Sequence, residues 1–245
     1  MDYWRREQVG VASGIGAVAL LVVAGGLVTS YPSSGADAQL IRTFILDNRT
    51  MLLAQSFVMA FGVVAALWFF GSLRSTLRRA EGGTGRVSGI AFAGGASALL
   101  GMLAGCGLTI TLANRVAETV DPGVTLALWQ LSNVAFALAG FAFALGIGAA
   151  SLVALRTGIV PRWMALAGVV PVMLSMIGPI SIFYESGTMG LGDVVPALVP
   201  FVGALGWILA ASIVLTTKLK APVETAVARR RISDISEEPP QAIQL

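Results

Sequence analysis

Six apolar stretches, each long enough to cross a bilayer and each free of charged residues, constrain this chain more than any other feature. They occupy residues 9–28, 51–73, 89–112, 124–155, 163–183 and 195–217. Crossing about 30 Å of hydrocarbon takes about 20 residues of helix at 1.5 Å per residue. A backbone in lipid must satisfy its own hydrogen bonds, so runs of this length read as helices. The expected fold is all-α: a polytopic membrane protein with six transmembrane helices, residues 1–220 forming one bundle and 221–245 a disordered tail.

Composition leaves room for little else. The chain is 56% hydrophobic and 12% charged, with a mean hydropathy of +0.83, outside the range of soluble domains. Six spans and their short connections use nearly all 245 residues. The high pI does not point to nucleic acid, because the basic residues sit at helix ends rather than on one face. Those ends are unequal. Thirteen Lys and Arg fall on one side, at positions 5, 6, 74, 78, 79, 86, 156, 162, 218, 220 and 229–231, and three on the other: Arg42, Arg49 and Arg115. Cytoplasmic loops collect basic residues, so both termini are expected in the cytoplasm. Arg outnumbers Lys fourteen to two, the coding bias of a GC-rich bacterial genome, so the expected location is a bacterial inner membrane. Ala36-Asp37-Ala38 has the form of a signal-peptidase site, but the apolar run before it is too long for a cleaved signal, so the first helix is expected to be retained.

The connections carry their own signals. Within the 30–50 loop, Leu40, Ile41, Phe44 and Ile45 recur at helical spacing opposite Arg42, Thr43, Asp47 and Asn48. This predicts a short amphipathic helix lying on the membrane surface or capping the bundle, with Ser33 or Ser34 as cap and Asp37 in its first turn. Gly82-Gly83-Thr84-Gly85 reads as a flexible joint. The Arg229–Arg231 cluster of the tail suits anionic lipid, and Ser233 is a candidate for modification.

Packing inside the membrane is expected along small residues. Ala93, Ser97, Gly101, Gly105 and Thr109 recur every four residues in the third span, and Gly140, Ala144 and Gly148 form a shorter stripe in the fourth. Small faces let backbones approach closely, which predicts contact between these two spans.

Polarity within the spans gathers toward the outer side. Gln55, Thr109, Gln130, Asn133 and Ser181 are the candidate lining of an outward-facing pocket, with Arg42, Asp47, Arg49, Arg115, Glu118, Asp121, Glu185 and Asp193 at its rim. Pro171, Pro179, Pro196 and Pro200 interrupt the fifth and sixth spans and free backbone carbonyls nearby. Broken helices beside a polar pocket suit a small-molecule transporter or ligand-binding protein. The same amides and prolines also suit interhelical glue in an accessory, scaffold or sensor protein that meets a membrane-protein partner or another copy of itself. No ionisable residue lies inside a span, which argues against ion-coupled pumping. The chain has no histidine and one cysteine, Cys106. That removes histidine-dependent triads and zinc motifs, so no enzyme activity, metal or cofactor is expected.

One further pattern has parallels. The run Arg156-Thr-Gly-Ile-Val-Pro-Arg-Trp-Met-Ala-Leu-Ala-Gly168, between the fourth and fifth spans, resembles a junction of bacterial six-span integral membrane proteins of unknown function. The last span, around Gly206-Trp-Ile-Leu-Ala-Ala-Ser, is similar as well. The resemblance implies the six-span fold and carries no activity or functional residue with it.

Overall fold

The computed structural model describes the backbone of residues 2–236 and the side chains of residues 9–218 other than Arg115. Among the described residues there are helices and turns but no strands. Six helices are long and apolar enough to span a membrane: Val9–Leu27, Arg49–Glu81, Arg86–Asn114, Pro122–Thr157, Arg162–Phe183 and Val194–Lys218. The protein is a multi-pass, all-α membrane protein.

The chain begins with α1 (Asp2–Leu27), the short α2 (Ala38–Asp47) and α3 (Arg49–Glu81). Next come α4 (Arg86–Thr111), a π turn (Leu112–Val116), α5 (Ala117–Thr119) and α6 (Pro122–Thr157). The fifth span is broken into α7 (Arg162–Ala167), α8 (Val169–Ser175), α9 (Ile177–Ile180) and a 3₁₀ turn (Ser181–Phe183). The sixth is α10 (Val194–Ser236). It continues into the segment expected to be unstructured; the remainder of that segment, 237–245, lies outside the described residues, as do the side chains of Arg229–Arg231 and Ser233. One end of the bundle carries α2. The opposite, arginine-rich end carries the α3–α4 and α6–α7 turns.

The α4–α6 pair makes the most extensive helix contact, as the small residues lead one to expect. Gly101, Gly105 and Thr109 of the expected stripe meet α6, but the closest backbone approach lies off the stripe, at Gly94 and Gly146. A Cβ at Gly94 would lie 2.7 Å from Gly146 Cα, and one at Gly146 would lie 2.7 Å from Gly95 N. Ala93 and Ser97 are exposed, Gly101 is half-buried beside Ala139, and Gly105 is covered by the Phe136 ring. A row of every fourth residue turns by about 40° per step on a 3.6-residue helix, so Ala93 and Ser97 rotate off the face on which Gly101, Gly105 and Thr109 meet α6. Gly140 and Gly148 serve another partner. A side chain at Gly140 would strike Ser175 O and Pro179, and Gly148 faces Val172; Ala144, between them, is buried. The expected contact of this stripe with the third span is thus corrected to the fifth. Pro179 lacks the N–H that would bond Ser175 O, and the glycine allows that carbonyl to approach α6.

Two connections also differ from expectation. Gly82, Gly83 and Gly85 have φ of 67°, 57° and 64°, a left-handed backbone that favours glycine. The Glu81 carboxylate accepts from Val87 N (2.9 Å) and Ser88 N (2.8 Å), placing an anion on the N-terminus of α4 where its dipole favours one. The segment is therefore a pinned turn, not a loose joint. In α2 the cap is Asp37 itself, whose carboxylate accepts from Leu40 N at 2.8 Å. Ile41 and Ile45 are buried against Val28, Leu52, Leu112 and Trp129. The helix caps the bundle and does not lie apart from it.

The arginine-end half is densely packed. Phe69, Phe70, Leu99, Ile147 and Ile208 are at most 1% exposed, within one continuous core drawn from all six spans. The half bearing α2 is built differently.

Candidate functional site: a cavity without charge

Between the packed core and α2 lies a cavity of about 430 Å³ whose walls come from all six spans. Its lining includes Gln55, Thr109, Asn133 and Ser181, four of the five residues expected there. Gln130 is exposed and does not line it. Gln130 and Asn133 stand about 60° apart around α6, enough for the helix to turn one outward while the other faces in. Five further polar or amphipathic residues contribute: Thr29, Tyr31, Ser56, Trp129 and Ser132. Ser56 and Ser132 each adjoin an expected residue in sequence, which was the available signal. Tyr31 and Trp129 carry only the general preference of such rings for the membrane boundary.

Most of these groups are already partnered. Gln55 Oε1 accepts from Tyr31 O–H at 2.7 Å, and Gln55 Nε2 donates to Ala24 O at 3.1 Å. Thr109 Oγ1 and Ser132 Oγ lie 3.2 Å apart, and each donates to Gly105 O at 3.1 Å where the other does not claim its proton. Ser181 donates to Gly178 O at 2.7 Å, within its own broken helix. Gln55, Thr109 and Ser181 thus serve as glue even as they line the space. Three groups stand apart, one of them the exposed Thr29 hydroxyl. Ser56 Oγ, on a residue only 3% exposed, and the half-buried Asn133 amide border the cavity and have no hydrogen-bond partner among the described residues.

Below this polar tier the walls turn apolar, with Met59, Met102, Phe136, Phe143 and Phe201. Among the described residues, no carboxylate, ammonium or guanidinium group lines the cavity. Tyr31 and Trp129 on its lining join Phe44 in an aromatic cluster: Tyr31 stacks on Trp129 at 6.3 Å, and Phe44 meets Trp129 edge-on at 5.8 Å. Burial pushes the Tyr31 phenol above its ordinary pKa, against the smaller opposing effect of its bond to Gln55. The ring therefore remains a neutral hydrogen-bonding group. Over Asn133 lies Gly192, with φ of 87°, where a Cβ would come within 2.6 Å of the amide nitrogen. Ser34 N donates to Asp193 at 3.3 Å, joining the loop before α2 to the one before α10.

The expected rim residues form ties rather than a ligand site. Arg49 pairs with Glu118 at 3.2 Å, and Arg42 donates to Glu118 O at 2.8 Å. Asp121 caps α6 by accepting from Gly123 N at 2.7 Å. Asp47 and Glu185 are exposed, and the Arg115 side chain lies outside the described residues. Comparison with protein-family models, curated proteins and solved structures finds no match.

Proposed function

We propose that the protein is a ligand-binding membrane protein, a sensor rather than a conduit, whose cavity accepts a small uncharged amphiphile. The supporting observation is the cavity itself: a charge-free space with unpartnered Ser56 and Asn133 above an apolar floor. An ionised ligand would lose its hydration there without meeting a counter-charge. An uncharged molecule with one or two hydrogen-bonding groups would use Ser56 and Asn133, and its body would lie among the methionines and phenylalanines. The volume falls within the range of about 300–1,000 Å³ usual for small-molecule sites. Basic-residue asymmetry orients the mouth outward in a bacterial inner membrane, consistent with the resemblance to bacterial six-span proteins. The packed core beneath the cavity disfavours passage through the bundle. Several small residues that suggested a scaffold role are engaged within the chain, at Gly105 and Gly140 for example, so ligand binding has the stronger support. The lining supplies no carboxylate pair for acid–base work, and the reading is non-enzymatic.

The test is thermal unfolding of purified protein with a panel of medium-chain alcohols, ketones and quinones, beside carboxylates and ammonium salts of equal size. A ligand at 100 times its Kd stabilises the folded state by about 2.7 kcal/mol. At least one uncharged member should raise Tm, the charged ones should not, and the double variant Ser56→Leu/Asn133→Leu should abolish the rise. A flat response across the panel, or a rise that the double variant retains, contradicts the reading.

A further inference from the structure

At the opposite end of the bundle, α3 extends beyond any ordinary bilayer. Its 33 residues span about 50 Å at 1.5 Å per residue, against about 30 Å of hydrocarbon. The apolar run starts two residues into the helix, at Met51, so most of the surplus is the segment from Arg74 to Glu81. An open groove of about 470 Å³ runs along this segment, lined by Arg74, Arg78 and Arg79 together with Gly71, Gly82 and Gly83.

We propose that this groove binds the phosphodiester of an anionic membrane lipid, held by Arg74 and Arg78. Four residues apart, these two arginines share one face of the helix, and guanidinium forks suit phosphate oxygens. Among the described residues, no carboxylate lines the groove. Glu81, the one acid on this stretch, is turned onto the N-terminus of α4 through Val87 N and Ser88 N. Arg74 is also steadied, its guanidinium carbon 5.6 Å from the centre of the Phe92 ring. Depth favours a lipid over a free anion. Arg74 adjoins the end of the apolar run, and Arg78 stands one turn farther out, at headgroup level. Just below them Gly71 is exposed with no neighbour within 4 Å of where its Cβ would be, and Trp68 is 65% exposed, leaving a surface along which an acyl chain can lie. The groove is separate from the cavity and does not depend on the ligand proposed for it.

The experiment is native mass spectrometry of the full chain in neutral detergent micelles, titrated with phosphatidylglycerol or with inorganic phosphate. Arg74→Gln/Arg78→Gln is compared with Arg156→Gln/Arg162→Gln, which removes equal charge from the same end of the bundle. Phosphatidylglycerol should bind the unmodified protein. The first double variant should weaken binding about tenfold or more and the second less than about threefold. Arg74→Lys/Arg78→Lys, which keeps the charge but loses the planar fork, should recover part of the affinity and confirm that the segment still folds. Equal losses in both glutamine variants would reduce the effect to general surface charge and overturn the proposal. Displacement of the lipid by inorganic phosphate at equal concentration would overturn its assignment to a lipid.

Discussion

The two halves of this bundle are made from the same six spans and differ in what lies between them. In the arginine-end half, glycine lies on glycine where α4 crosses α6, and Phe69, Phe70, Leu99 and Ile208 close the remaining space. In the half bearing α2, the spans enclose a polar-topped cavity of about 430 Å³. The fifth span is broken around Pro179 beside the cavity, whereas Pro196 and Pro200, expected to break the sixth, lie in the first two turns of an uninterrupted α10. A rigid half supporting an open one is a common arrangement for a site, since binding requires space that packing alone would eliminate.

The largest expected effect comes from forcing the packed crossing apart. Gly94→Leu places a side chain against the Gly146 backbone, which cannot move aside as a side chain can. The cost should exceed about 3 kcal/mol, and size-exclusion chromatography after detergent extraction should show little or no folded protein. Next, truncation should cost more where packing is dense. Leu99→Ala should lose about 2–5 kcal/mol in chemical denaturation, and Met59→Ala, on the cavity wall, no more than about half of that. Equal losses would erase the distinction between the halves. A finer contrast separates glue from free polar groups within the cavity. Gln55→Leu leaves Ala24 O and Tyr31 O–H without their partner and should cost about 1–3 kcal/mol, whereas Ser56→Val gives up no internal bond and should stay within about 1 kcal/mol. The smallest effect belongs to the rim: Arg49→Gln breaks a half-exposed ion pair and should change stability by about 0–1 kcal/mol.

The architecture was legible because its signals are long and strong. Apolar runs of bilayer length, set off by arginines, locate all six spans to within a few residues at most ends. The larger differences lie at the ends of the long helices, such as α3, which runs on to Glu81. The depth of Gln55, Thr109, Asn133 and Ser181 was legible too, since polar residues are rare in lipid and their position along a span follows from counting. Rotation about each helix axis was not. Where nearly every face is apolar, composition does not mark which side meets a neighbour. Gln130 therefore turned outward, and the Gly140 stripe met the fifth span. The Gly82–Gly85 turn shows a related difficulty. Glycines that permit looseness also permit a fixed left-handed turn, and only the Glu81 carboxylate on α4 distinguishes them.

If the proposed function holds, the half bearing α2 admits small uncharged molecules and the other half excludes them. The most direct measurement places one cysteine in each half of a Cys106→Ser protein, at Ser56 and at Leu99, residues 3% and 1% exposed. Each folded variant is then treated with a small uncharged thiol reagent. The account predicts labelling of Ser56→Cys, protection of Leu99→Cys, and labelling of both once the protein is denatured. Equal rates in the two folded variants, or protection of Ser56→Cys, would contradict it.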